Sequence, residues 1–185
     1  LLNFCTVDLS AFYFDIRKDA LYCDSKDSKR RTSSIIVLNI ILESLIKWFA
    51  PILSFTTEEI FTLINKDKKS IHLEKFMVFP KSFDNEKLNK KWIELKKIRD
   101  ICNISIETKR ASKEIGSSLE ANLIINLNKN LFEISSNIDF SELCITSSAI
   151  VQKSETEDVT AETIKAEGDK CPICWKINKV QCERH

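Results

Sequence analysis

Two long stretches of helical period, almost free of glycine, limit what this chain can fold into. From about Lys29 to Phe49 the apolar residues Ile35, Ile36, Leu38, Ile41, Leu42, Leu45, Ile46 and Phe49 form one broad stripe. At 1.5 Å per residue this predicts a helix of roughly 30 Å. So wide a stripe is covered on more than one side, which places the helix centrally in a bundle. Pro51 interrupts it, because the residue before a proline is disfavoured in the helical region. Thr56-Thr57-Glu58-Glu59 then offers a capping box, Thr56 to Glu59, for a short helix through Ile64. A linker over 66–80 follows, in which His72 reads as a packed or capping residue. Asn85 is a fitting N-cap for a second long helix reaching about Lys113, striped by Leu88, Trp92, Leu95, Ile98, Cys102 and Ile106. The opening residues keep looser helical spacing at Leu2, Val7 or Leu9, Phe12, Ile16 and Ala20. Since Leu1 is no starter methionine, the chain reads as a piece of a longer protein.

After Gly116 the period changes from helix to strand. Leu119, Ala121, Leu123, Ile125 and Leu127 alternate with Glu120, Asn122, Ile124, Asn126 and Asn128, a strand with one face buried. A short helix is expected over 128–137. Leu143-Cys144-Ile145 with Ala149-Ile150-Val151 reads as a second strand, and Val159 to Ala166 as a third. The fold class is therefore mainly α: a helical bundle, then a small α+β segment, then a terminal knuckle. The corresponding boundaries are 1–115, 116–167 and 168–185.

Composition removes several functions. Two glycines among 185 residues exclude a glycine-rich phosphate loop. With only His72 and His185, no histidine-centred catalytic constellation is in sight, so no catalytic residue is assigned. A net charge of +1 gives no overall pull on nucleic acid, and any such role must come from local patches. Lys90, Lys91, Lys97 and Lys109 lie largely off the second stripe and read first as a wetted face, second as an RNA contact. Of seven cysteines, Cys5, Cys23, Cys102 and Cys144 lack framework spacing, and no leader is visible. The chain is expected to be reduced and cytosolic. The longest apolar run, Ile35 to Ile46, is broken by Asn39, Glu43 and Ser44, so no membrane span is expected.

The chemistry sits in the last residues. Cys171-x-x-Cys174, a loop from Trp175 to Gln181, and Cys182-x-x-His185 supply the four ligands of a tetrahedral ion, one Zn²⁺. Gly168 and Pro172 suit the tight turn that aims two sulfurs at one point. A redox pair formed by Cys171 and Cys174 is the alternative, but it has no need of Cys182 and His185. A free-standing zinc adaptor for nucleic acid or protein is a further one.

Three strings carry a resemblance: Asp8-Leu9-Ser10-Ala11-Phe12-Tyr13-Phe14-Asp15-Ile16 running into Lys18 through Asp24, Ala50-Pro51-Ile52-Leu53-Ser54-Phe55-Thr56-Thr57-Glu58-Glu59-Ile60, and Lys113-Glu114-Ile115-Gly116-Ser117-Ser118-Leu119-Glu120-Ala121. Followed by Gly168 through Trp175, they resemble the C-terminal part of bacterial isoleucyl-tRNA synthetase, a class I enzyme. The terminal knuckle argues against its valyl and leucyl relatives. In this pattern Tyr13 and Tyr22 anchor an early helix by their rings. Gly116 ends the second long helix where positive φ is often needed. The resemblance implies a bundle that binds the anticodon stem of tRNA(Ile) and a zinc-bearing tail that reaches the anticodon loop. Aminoacylation, ATP and editing would belong to domains upstream in a monomeric parent enzyme, whose signature motifs are absent here. The expected RNA contacts are Trp175 by stacking and Lys176, Lys179 and Arg184 by phosphate, with Arg30 and Arg31 as weaker candidates. One departure from the family is the second ligand pair, Cys-x-x-His after a short loop instead of Cys-x-x-Cys after a longer one.

Overall fold

The chain enters as a helix wound in two ways. Phe4–Phe14 follows the wider π pattern, and Asp15–Cys23 (α1) tightens to the α form. Of the positions the spacing predicts, Leu9, Ile16 and Ala20 are buried and Phe12 half-buried, while Leu2 is exposed. Tyr22 is not an anchor: it is 80% exposed. Tyr13 is half-buried beside the guanidinium of Arg17, 5.9 Å from its ring centre. This computed structural model describes residues 1–67, 69–182 and 184.

Ser28 starts the first long helix, Lys29–Phe49 (α2), by accepting the Arg31 N–H on its hydroxyl. The turn before it is knotted on Asp24, whose carboxylate takes Arg30 at 2.8 and 2.7 Å and Ser28 at 3.1 Å. By length and mean hydropathy (1.4) α2 meets the measure of a membrane span despite Asn39, Glu43 and Ser44. The broad stripe is not covered as expected: Ile46 is its one buried residue and Ile35, Ile36 and Leu42 are exposed, while Ser34, Ser44 and Lys47 are buried, Lys47 against Glu43 at 2.7 Å and Glu74 at 3.7 Å. After Pro51 the N–H groups of Ile52 and Leu53 both turn back onto Phe49, and Ser54–Ile64 (α3) begins. The capping box expected at Thr56 and Glu59 does not form. A cap residue must be extended, and Thr56 is already inside the helix. The acid that orders this region is Glu58, which accepts the Ser70 hydroxyl and the Ile71 N–H at 2.9 Å each. That draws Ile71 into a small core with Ile46, Ala50 and Phe61, and leaves His72 exposed.

Asn85 caps the second long helix, Glu86–Ala111 (α4), by accepting the Leu88 N–H at 2.9 Å. Of its predicted stripe, Leu95, Ile98, Cys102 and Ile106 are buried and Trp92 is half-buried, whereas Leu88, in the first turn, is 48% exposed. The residue that turns left-handed at its end is Lys113 (φ 60°), not Gly116. Gly116 serves differently, giving its N–H to the Glu120 carboxylate at 2.8 Å.

The strand expected next is Ala121–Leu127 (β1), with Ala121, Leu123, Ile125 and Leu127 all buried. A short helix, Lys129–Ser135 (α5), follows as predicted. Leu143, Cys144 and Ile145 are not strand. Asp139 caps one helical turn, Phe140–Leu143 (α6), and Ile145 swings to positive φ (57°) so that the chain can reverse. The strand begins only at Ser148–Lys153 (β2), and Thr160–Lys165 (β3) completes the sheet. β1 lies in the middle, parallel to β2 and antiparallel to β3. The α4 stripe, β1, Phe140, Leu143 and Cys144 share one core. Two polar links lock it: Ser105 with Thr163 at 2.7 Å, and Arg99 to the Leu143 carbonyl at 2.8 Å.

Packing therefore divides the chain into Leu1–Cys23 with Asn85–His185, and Asp24–Asp84. The boundaries at 115/116 and 167/168 follow changes of period. The packed units instead follow α4, whose buried stripe belongs to the core of the sheet. Replacing Leu123 by Ala is expected to cost about 2–5 kcal/mol. Ile124→Ala, on the half-buried face, should cost clearly less, which paired chemical denaturation will measure.

Candidate metal centre

Asp169–Lys170 (β4) and Ile177–Asn178 (β5) form a two-rung antiparallel hairpin, Asp169 opposite Asn178 and Lys170 opposite Ile177. It is entered through Gly168 at φ 126°, where any Cβ would collide with the Asn178 carbonyl. Only glycine fits both the angle and the approach. Between the strands the chain folds back on itself: the Trp175 N–H donates to the Cys171 carbonyl at 3.0 Å, and the Cys171 N–H to the Lys176 carbonyl at 2.9 Å. Trp175 closes the turn at φ 63°, a left-handed position that bulky residues rarely take.

This turn brings the sulfurs of Cys171, Cys174 and Cys182 within 4.8 Å of one another. Tetrahedral zinc with 2.3 Å bonds to sulfur needs sulfurs about 3.8 Å apart. Cys174 and Cys182 stand at 3.9 Å. Backbone N–H groups of Cys174 and Ile173 hold the Cys171 thiol down at about 7, while burial pushes Cys174 up to about 11. The donor set thus suits a thiophilic dication, which would displace the remaining protons. His185 lies outside the described residues. All seven cysteines are free thiols.

The knuckle is tied to the rest of its unit by contacts that no local pattern announces. Ser147, buried, accepts the Ile177 N–H at 2.6 Å and donates to the Leu119 carbonyl. The Cys23 thiol reaches the Ile173 carbonyl at 3.7 Å, and the Lys176 ammonium the Ser141 hydroxyl at 3.1 Å. Of the expected RNA contacts, Trp175 is 57% exposed with the Lys170 ammonium 5.3 Å above its ring. Lys179 pairs with Glu167 at 2.8 Å, and Arg184 with Asp19 at 2.8 Å. Trp175, Lys176 and Lys179 are thus gathered on the hairpin and its turn. Arg30 and Arg31 belong to the other unit, where Arg30 holds the Asp24 carboxylate and Arg31 its carbonyl.

The sequence of this chain has counterparts among known proteins. Residues 1–125 match the family model described as the anticodon-binding domain of tRNA ligase. The chain belongs to that family. Among curated relatives, the isoleucine–tRNA ligase of Pelagibacter ubique is 81% identical over 185 residues, covering 100% of this chain and 20% of that protein. Those of Agrobacterium fabrum and Bartonella henselae are 39% and 40% identical over 188 and 190 residues, covering 96% and 97% of this chain and 19% and 20% of those proteins. The resemblance to isoleucyl-tRNA synthetase read from the sequence is borne out over the whole chain. The chain spans about a fifth of the length of these relatives.

Two outcomes test the centre. Gly168→Ala is expected to abolish stoichiometric metal uptake, read by elemental analysis, while helical circular dichroism stays unchanged. Metal and proton compete for the sulfurs, and Cys171 takes up its proton near pH 7. Zinc affinity, measured against a chelator, should therefore fall as pH drops through about 7 and rise above it.

Proposed function

We propose that this chain grips the anticodon stem and loop of tRNA(Ile) and so positions the tRNA for ATP-dependent aminoacylation by a catalytic domain elsewhere in an isoleucine–tRNA ligase. The observation that carries this reading is the match to the anticodon-binding family, joined to a three-sulfur cluster at the tip. The ion assigned to that cluster is one Zn²⁺, with Cys171, Cys174, Cys182 and His185 as ligands. Its work is structural: it would fix the turn that carries Trp175. The protein works away from membranes, in the cytoplasm, as part of a monomeric enzyme.

Trp175 stacks on an unpaired anticodon-loop base, and Lys176, Lys179 and Arg184 meet phosphates around it. Arg30 and Arg31 contribute weaker phosphate contacts, since Asp24 already engages both. The Lys179–Glu167 pair is solvent-screened, so an RNA phosphate can exchange for that carboxylate with little loss, while Arg184, whose pair with Asp19 is partly buried, contributes less readily.

The position of Trp175 supplies a sharp test. Glycine is at ease at φ 63°, so Trp175→Gly should keep the fold and the metal while removing the ring. Affinity for tRNA(Ile) is expected to drop by about 1–3 kcal/mol. Lys176→Ala and Lys179→Ala should each flatten the dependence of log K on log salt by about 0.7–0.9. Equal binding of a tRNA with an altered anticodon would reduce the role to nonspecific phosphate contact.

A further inference from the structure

The three sulfurs of the tip are not equivalent. Cys171 and Cys174 are buried, whereas Cys182 is partly exposed. The turn that carries the first two is closed by backbone hydrogen bonds, the Trp175 N–H on the Cys171 carbonyl and the Cys171 N–H on the Lys176 carbonyl. Cys182 comes after the last strand. Val180 to Cys182 belong to no strand or helix, and Val180 and Gln181 are exposed. One sulfur is thus fixed by its turn, and the other is carried on an open limb. Across that divide the Cys174 and Cys182 sulfurs stand 3.9 Å apart. A disulfide bond is about 2.05 Å long, so a closure of the limb by about 1.9 Å joins them.

An accessible thiol beside a second thiol able to resolve it is the arrangement that senses oxidants. We propose that Cys174 and Cys182 form a reversible disulfide in response to hydrogen peroxide, and that its formation opens the metal centre. The Cys182 thiolate attacks one peroxide oxygen and the O–O bond breaks. Hydroxide leaves and is protonated to water, and Cys182 becomes a sulfenic acid. The Cys174 sulfur then attacks the Cys182 sulfur: the S–S bond forms and the S–O bond breaks. The departing hydroxide takes the Cys174 proton, or a solvent proton where Cys174 was a ligating thiolate. The two sulfurs together give up two electrons, and one peroxide becomes two waters. The bridge withdraws two of the four donors assigned to Zn²⁺, so the ion is released. The bonds that hold Trp175 in its turn use backbone atoms and stay in place, and the limb running from Lys179 to Arg184 is redrawn. A thiol reductant undoes the bridge by exchange. Only the release of the ion rests on the zinc assignment above.

The test treats the zinc-loaded chain with hydrogen peroxide, follows the ion with a chromogenic chelator, and maps the cysteines by mass spectrometry after alkylation. Zinc is expected to leave in step with a bridge between tryptic peptides 171–176 and 180–184, lighter by two hydrogens. A dithiol with added zinc should restore the starting state. Cys171→Ser leaves Cys174 as the one cysteine of its peptide, and the same bridge should form there. If that variant misfolds at the tip, fragmentation of the wild-type peptide between Cys171 and Cys174 decides. Cys23, whose thiol lies 3.7 Å from the Ile173 carbonyl, is the competing partner, and Cys23→Ser should leave the bridge unchanged. A bridge through Cys171 or Cys23, or Cys182 carried unbridged to the sulfinic acid, overturns the proposal. Zinc present at the start with no Cys174–Cys182 bridge at the end sinks the disulfide and leaves the ion assignment standing. A bridge in a chain that never held zinc does the reverse.

Discussion

One buried hydroxyl ties the cysteine-lined tip to the sheet. Ser147 accepts the first backbone N–H of the outgoing hairpin strand, donates to the Leu119 carbonyl, and places its own N–H on the Ala121 carbonyl. A buried polar group left without a partner costs about 1–3 kcal/mol, so these bonds are strongly directional commitments. Through them the knuckle's orientation is inherited from β1, whose buried face is fixed by α4. The Trp175 ring and the sulfur cluster both take their placement from that chain of contacts.

The charges at the tip are arranged to be both ordered and exchangeable. Lys179 leans on Glu167, Lys176 on Ser141, Lys170 over Trp175, and Arg184 on Asp19. None of these partners buries its cation deeply. Each side chain is therefore presented in a limited set of rotamers without being neutralised against a polyanion. A molecule of net charge +1 can concentrate its cations locally in this way, where a generally basic surface would attract any nucleic acid.

Much of this was legible in the residues because it is periodic or local. The stripe of α4 and the alternation of β1 were read at their correct faces, since burial imposes those periods directly. Ser28 and Asn85 cap as their types suggest, although only Asn85 was singled out beforehand. The convergence of Cys171, Cys174 and Cys182 was legible from their spacing. What failed was chemistry that depends on the neighbours. Thr56 looked like a cap but sits inside α3, because the turn after Pro51 had already begun the helix. Leu143 to Ile145 looked like strand from composition, yet Asp139 starts a helical turn there and Ile145 reverses the chain. Gly116 seemed to be the left-handed residue, a place Lys113 takes instead. Ser147 carried no local signal, because its partners lie far away in sequence.

The segment 24–84 packs within itself, whereas the other unit is assembled from pieces on either side of it. Its knots are short-range: Asp24 to Arg30, and Glu58 to Ile71. By contrast, Arg17 must find Glu142, and Arg184 must find Asp19. Closing such long loops carries an entropic cost before any contact rewards it. During vectorial synthesis, then, the inserted segment can consolidate as it emerges. The first helix has to wait for the last strands, and the tip can set only after translation has passed the end of the sheet.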